Sequence, residues 1–198
     1  MNVGVFDYGA GNLHSLLKAL DGDGRIVRIS RDAREAANAD VLVLPGVGAF
    51  APAAAALAPA RDAVASALRD GLPCLGICLG MQLLCDASDE GPGEGLGVFA
   101  GRVARLHARR VPQIGWNSLD DVCDASLLAS GLATAYYANA YVARVADETG
   151  VVAWSTHDGD RFPAAIRRGR VMGVQFHPEK SSAQGVAFVR AFLREAAA

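Results

Sequence analysis

Three residues in this chain could do chemistry together: Cys78, His177 and Glu179. A cysteine attacks carbonyl carbon as the thiolate, so it needs a base beside it. The imidazole that serves as base needs a carboxylate to fix its tautomer and stabilise its cation. Cys78 lies in Gly76-Ile77-Cys78-Leu79-Gly80, where an apolar run meets a helical pattern. A G-x-C-x-G motif in that setting is the pattern of a nucleophile elbow, a turn so sharp that side chains flanking the nucleophile would strike neighbouring backbone. At the start of a helix the sulfur also gains from the helix dipole and from unpaired N–H groups. The motif alone is evenly balanced by a plain alternative, a buried structural cysteine between coincidental glycines.

His177 and Glu179 stand in Gln175-Phe176-His177-Pro178-Glu179, read here as the close of the last strand. In extended chain an i, i+2 pair points the same way, and Pro178 stiffens the turn. A lone strand-end histidine is more often a surface residue. Two such motifs at the carboxyl edge of one inferred sheet point instead to a Cys-His-Glu triad. A third block, Leu44-Pro45-Gly46-Val47-Gly48, ends another strand. An N–H near Val47 or Gly48 could pair with that of Leu79 as an oxyanion hole, although the block by itself reads as an ordinary strand-to-helix turn.

The elements that must position these residues alternate in the first half. Strands are expected over residues 3–6, 25–29, 41–44 and 72–77. Leu13, Leu16, Leu17 and Leu20 recur at helical spacing, a helical stretch runs to about Asp70 with interruptions at Pro52 and Pro59, and a helix covers 79–84. Continuous apolar strands between helices imply a parallel sheet covered on both faces. Residues 87–97 read as a loop. Beyond it, strands at 101–106, 136–145, 151–155, 164–168 and 171–176 suggest hairpins that extend the sheet, before a last helix over 183–195. The expected fold is α/β: an open, mostly parallel twisted sheet with helices on both faces, extended by antiparallel strands, in one domain spanning 1–198.

Composition agrees with a folded domain. The chain has 198 residues, 52% hydrophobic and 20% charged, enough to bury a full core without covalent staples. A net charge of −2 argues against a nucleic-acid binder. No apolar stretch is long enough to span a bilayer, and no secretory leader is read before the first strand, so a cytoplasmic enzyme is expected. Cysteines at 74, 78, 85 and 123 match neither a disulfide framework nor zinc-ligand pairs. Cys74, Cys85 and Cys123 are expected as core thiols, Cys85 on the helix that follows Cys78. No metal or cofactor is called for. His14, on a helix, and His107 and His157, in apparent loops, receive no role.

Residues 76–82 (GICLGMQ) and 176–181 (FHPEKS) together resemble the signatures of the class I, triad-type glutamine amidotransferases. With residues 7–13 (DYGAGNL), 45–50 (PGVGAF) and 114–117 (IGWN), the chain is similar more narrowly to the glutaminase subunits of imidazole glycerol phosphate synthase. These blocks run in family order over nearly the whole chain.

The resemblance implies a flavodoxin-like amidotransferase fold and a reaction. Cys78 would attack the carboxamide of L-glutamine and form a thioester, His177 would protonate the leaving ammonia and later activate water, and Glu179 would orient His177. Val47, Gly48 and Leu79 would bind the oxyanion. Gly46, Gln82, Glu90 and the segment Asn139, Ala140 and Tyr141 would hold substrate, Glu90 meeting its ammonium. Plain alternatives are a solvent-facing Gln82 and an ordinary loop acid at Glu90. The implied partner is a cyclase subunit, a (β/α)₈ barrel. It would use the ammonia to make imidazole glycerol phosphate and aminoimidazole carboxamide ribotide, and a closed route is needed because free ammonia in neutral water is mostly ammonium. Asn12, Trp116, Asn117, Tyr136 and Lys180 would face it, with a core aromatic as the alternative for Trp116.

Two departures from the family pattern stand out. Residues 137–141 read Tyr-Ala-Asn-Ala-Tyr where relatives usually have Tyr-Phe-Val-His-Ser-Tyr, and Gln113 stands where relatives often carry His. Two other readings remain open: another amidotransferase glutaminase, such as the one serving pyridoxal phosphate synthesis, and a catalytically weak scaffold relative.

Overall fold

The computed structural model describes residues 1–9 and 13–198. The chain begins β1 (Asn2–Phe6), α1 (His14–Leu20), β2 (Ile26–Ser30), α2 (Ala33–Ala37), β3 (Val41–Leu44), α3 (Phe50–Leu57), α4 (Arg61–Arg69), β4 (Cys74–Ile77) and α5 (Leu79–Leu83). It continues through β5 (Cys85–Ser88), β6 (Phe99–Arg105), β7 (Gln113–Ser118), α6 (Ala125–Ser130), β8 (Thr134–Asn139), β9 (Tyr141–Val145), β10 (Val151–His157), β11 (Asp160–Arg168), β12 (Val171–Val174) and α7 (Ser182–Ala196). The prolines act as their geometry requires. Pro52 sits in the first turn of α3, where its missing N–H costs nothing, and Pro59 lies in the 3₁₀ turn Ala58–Ala60 between α3 and α4.

Among the described residues the main sheet has the order β10-β11-β12-β4-β3-β1-β2. The pairs from β2 to β12 are parallel, and β11 and β10 extend the sheet antiparallel. Alternation explains why the inner strands are apolar throughout. Val41 and Val43 of β3 join one core with Leu16, Leu20, Phe176, Phe188 and Phe192, while Leu42 and Leu44 join the opposite core with Phe50, Leu57, Leu79 and Met81. Each such fully buried side chain contributes roughly 1.5–3 kcal/mol. α1, α6 and α7 thus cover one face, and α2 to α5 the other.

The second half departs from expectation in several places. Residues 136–145 are two strands, not one: β8 pairs with β7 in a two-stranded sheet, and β9 joins β5 and β6 in a three-stranded sheet. The chain changes sheet at Ala140, whose carbonyl accepts from the N–H of Leu106. Among the described residues only the β10–β11 hairpin extends the main sheet antiparallel. Cys85 opens β5 rather than lying on a helix, so residues 85–88 are strand, and His157 ends β10. β12 stops at Val174, and residues 178–180 form a 3₁₀ turn. Cys123 is exposed, whereas Cys74 and Cys85 are core thiols as expected. Burial pushes the Cys85 thiol up to about 12, with a smaller contribution from Asp86, which leaves it inert. Among the described residues no helix is long and apolar enough to cross a membrane.

Candidate active site

Three neighbouring parallel strands, β3, β4 and β12, deliver Gly46, Cys78 and His177 from their carboxyl ends to one place. Register explains the convergence. Leu44 lies beside Gly76 and Val174 beside Ile77, so the three chains leave the sheet at nearly the same level. The carboxyl edge of a parallel sheet is where such folds bind ligands.

Cys78 holds a positive φ of 48° with ψ −104°, a backbone conformation that residues with side chains rarely adopt. Strain of this kind costs on the order of 1–3 kcal/mol and persists only where its surroundings enforce it. The surroundings are close. The Cys78 N–H donates to the Val174 carbonyl at 2.6 Å, and the Cys78 carbonyl accepts from the Gln82 N–H at 3.1 Å. A Cβ on Gly80 would lie 2.0 Å from the Leu44 carbonyl oxygen, and one on Gly76 would lie 2.7 Å from the Gly80 carbonyl oxygen. Both elbow glycines are therefore sterically required. Gly46 is as tightly placed, since a Cβ there would come within 3.0 Å of both the Cys78 Cβ and the His177 Cε1.

His177 and Glu179 meet through Nδ1 and Oε1 at 2.9 Å. Extended chain does not bring them together as expected; the 3₁₀ turn beginning at Pro178 folds Glu179 back onto the ring. Backbone bonds on two sides hold His177. Its N–H donates to the Tyr136 carbonyl at 2.8 Å, and its carbonyl accepts from the Ser181 hydroxyl at 2.7 Å. Ser181 in turn accepts from the Tyr136 N–H at 2.9 Å. Burial alone would depress the imidazole, but the charge and hydrogen bond of Cys78, followed by those of Glu179, outweigh it and raise His177 to about 10. A cationic ring between sulfur and carboxylate is the arrangement that activates a thiol nucleophile.

A cleft of about 230 Å³ opens over the sulfur, lined by Gly46, Val47, Gly48, Leu79, Gln82, Glu90, Ala138, Asn139, Ala140, Tyr141 and Lys180 as well as Cys78 and His177. Every residue expected to bind the oxyanion or substrate thus lines one cleft with Cys78. Glu90 is one of the lining residues, and one of its oxygens accepts from the Phe50 N–H at the start of α3 at 2.9 Å. Gln82 does not face solvent. It is buried, and its Nε2 donates to the Tyr141 carbonyl at 3.1 Å and to Gln175 Oε1 at 3.3 Å. Asn139 also donates to the Tyr141 carbonyl, while its buried Oδ1 has no partner among the described residues and remains available as an acceptor.

The expected partner-facing residues divide. Trp116 is 56% exposed and not a core aromatic; it stacks edge-on to Tyr136 across β7–β8, and Lys180 lies over the Tyr136 ring. Asn117 is engaged internally, with Nδ2 on the Thr156 carbonyl and Oδ1 on the Ser118 N–H. Asn12 lies outside the described residues. Ile114, 69% exposed beside Trp116, Ser181 and Gln175 were not singled out by sequence reasoning. An exposed isoleucine in a strand was the available signal for the first; nothing in residue type distinguishes the other two. Among the described residues no group of three or more His, Cys, Asp or Glu could hold a metal ion.

A parallel sheet that presents an elbow cysteine, a His–Glu pair and a small cleft lined by a carboxylate is the arrangement of a thiol amidohydrolase of the amidotransferase class. The family model described as "Glutamine amidotransferase class-I" matches residues 4–196, and the chain belongs to that family. Solved structures agree on the fold: one described as "Crystal structure of glutamine amidotransferase" superposes with a TM-score of 0.77 at 23% identity, covering 99% of each chain. "Structure of PurLQS from Thermotoga maritima" gives 0.75 at 19% identity over 98% of each.

Among relatives, "Imidazole glycerol phosphate synthase subunit HisH" of Pyrobaculum aerophilum is 40% identical over 193 residues, covering 98% of this chain and 97% of the relative. The HisH subunit of Geobacillus thermodenitrificans is 42% identical over 203 residues, covering 96% and 94%. "Imidazole glycerol phosphate synthase hisHF, chloroplastic" of Arabidopsis thaliana is 43% identical over 199 residues, covering 96% of this chain but 34% of the plant protein. Within the family, the chain falls in the HisH branch.

Proposed function

We propose that the chain is the glutaminase subunit of an imidazole glycerol phosphate synthase, active in the cytoplasm. The observation that carries this reading is the contact of His177 with both Cys78 and Glu179, with Cys78 and His177 lining a cleft sized for a free amino acid. The Cys78 thiolate attacks the carboxamide carbon of L-glutamine, forming a C–S bond and a tetrahedral oxyanion. The N–H of Val47 or Gly48, with that of Leu79, stabilises that oxyanion. Collapse breaks the C–N bond as His177 gives its proton to the departing nitrogen, and ammonia leaves. His177 then takes a proton from water, whose oxygen attacks the thioester; glutamate departs and the thiolate returns. Glu90 meets the substrate ammonium, and Gly46, Gln82, Asn139, Ala140 and Tyr141 shape the cleft.

Ammonia passes to a cyclase partner, a (β/α)₈ barrel, in a heterodimer. That partner docks on the face carrying Ile114, Trp116, Tyr136 and Lys180, next to the cleft mouth. The long plant relative supports a stable pairing, since the portion matching this chain is about a third of a continuous polypeptide whose name joins H and F.

Glutamate and ammonia release by the purified chain, with and without the cyclase and its ligand, tests the proposal. Turnover of glutamine that rises on adding the partner, and is lost in Cys78→Ala, is expected. Undiminished ammonia release by Cys78→Ala would sink the nucleophile, and activity indifferent to the partner would sink the pairing.

A further inference from the structure

Gln175 is fully buried, stands two residues before His177, and has no part in the steps above. Its Nε2 lies 3.5 Å from Cys78 Sγ. The polarity of that contact follows from a chain of forced choices. The Tyr141 backbone carbonyl can only accept, so the Gln82 atom 3.1 Å from it is nitrogen. That same nitrogen lies 3.3 Å from Gln175, so the Gln175 atom facing it must be the amide oxygen. The other end of the Gln175 amide, the NH₂ group, is left pointing at the sulfur. Flipping Gln175 would set nitrogen against nitrogen and a carbonyl oxygen against the thiolate, flipping Gln82 would set its oxygen against those of Tyr141 and Gln175, and each choice leaves a buried group unpaired.

We propose that Gln175 is a further catalytic residue, donating an N–H to the Cys78 sulfur and stabilising it as an anion, with Gln82 as the positioning residue that fixes its polarity. The inference deepens the glutaminase reading and rests on it for the identity of the nucleophile. Its consequence is a trade. A donor on the sulfur makes the thiolate persist at lower pH and leave more readily from the thioester, while making it a somewhat weaker nucleophile once formed. The relay also ties the nucleophile to segment 139–141, so a shift of Tyr141 on substrate or partner binding reaches the sulfur through two amides.

The test is the pH dependence of Cys78 alkylation by iodoacetamide in the full chain, in a Cys123→Ser background that removes the exposed thiol. Gln175→Met keeps the volume and removes the donor; Gln175→Glu keeps the shape and the contact with Gln82 but turns an acceptor towards the sulfur. In both, the acidic limb should move to higher pH, lowering the rate there by about tenfold, with Gln175→Glu moving further. The plateau rate should rise modestly. Gln82→Met should shift the limb the same way by less. Curves that overlay the wild type would overturn the proposal, whatever happens to thermal stability. If neither Gln175 variant folds, an unmoved curve for Gln82→Met overturns it and a moved one supports it. Wild-type ammonia release from glutamine, measured alongside with the cyclase and its ligand present, separates the two claims: an unmoved limb with active glutaminase rejects Gln175 alone, and a moved limb without glutaminase rejects the reaction alone.

Discussion

At the residue scale, the site depends on a proton held by His177. Its imidazole is raised to about 10, because the Cys78 charge and hydrogen bond and the Glu179 bond outweigh a burial that pushes the other way. A raised value means the folded state binds this proton more tightly than the unfolded chain does. The stabilisation is therefore complete below the unfolded value of about 6.5 and is lost as pH rises through about 10. Cys78→Ala removes the largest upward contribution. We expect the His177 ring resonances, followed by NMR, to titrate well below 10 in that variant, and its stability to stop falling over the alkaline window where the wild type loses it. An unchanged His177 titration in Cys78→Ala would contradict the pairing. Cys78, His177, Glu179 and the glycines around them were legible in the sequence because each position admits few residue types. Gln175 and Ser181 were not, since a glutamine or serine near a strand end carries no signal until its partners are known.

At the element scale, His177 is held by β8 rather than by its own strand. The Tyr136 carbonyl accepts from its N–H, and Ser181, which receives the Tyr136 N–H, closes the same loop onto the His177 carbonyl. The strand that bears the half-buried Tyr136 side chain is thus hydrogen-bonded directly to the backbone of the proposed base. Ser181→Ala leaves the Tyr136 N–H without its acceptor, at a cost of about 1–3 kcal/mol. We expect a lower denaturant midpoint together with slower ammonia release at an essentially unchanged KM, because the defect lies under His177 and not in the cleft wall. A stability loss with full activity would show that the Ser181 bridge does not position the base. The reading of 136–145 as one strand failed here for a physical reason. Residues 136–145 are apolar or aromatic apart from Asn139 and Arg144, so residue type shows no break at Ala140, and only the hydrogen-bond partners reveal that the chain passes from one sheet to another.

At the scale of the whole molecule, a partly buried ionic cluster ties the main sheet to two helices that cover one of its faces. Arg167 on β11 binds Asp124, the N-cap of α6, at 2.8 Å and also pairs with Glu195 of α7. Burial pushes the Asp124 carboxyl up, but hydrogen bonds from Ser126, Arg167 and the Leu127 N–H outweigh it and hold the group below the usual carboxylate range. The sign is opposite to that of His177. Stability from Asp124 is present above the unfolded value of about 3.9 and is lost as pH falls through the lower folded value. Asp124→Asn keeps a capping side chain but loses the charge. It should cost about 1–2 kcal/mol at neutral pH and narrow the gap between urea midpoints at neutral and acidic pH. A gap as wide as in the wild type would place the acid sensitivity elsewhere.

The sequence by itself determined the α/β class, the order of the parallel strands' motifs along the chain and the chemistry available to Cys78, His177 and Glu179, because hydrophobic period and nucleophile-elbow sterics are local properties. Tertiary structure decided the rest. It set β3, β4 and β12 side by side at one level, folded Glu179 onto His177 through a turn rather than a strand, sent residues 134–145 into two sheets, and turned the amide of Gln175 towards the sulfur. Each of these depends on which distant groups can accept or donate a hydrogen bond, and that is a property of the assembled backbone.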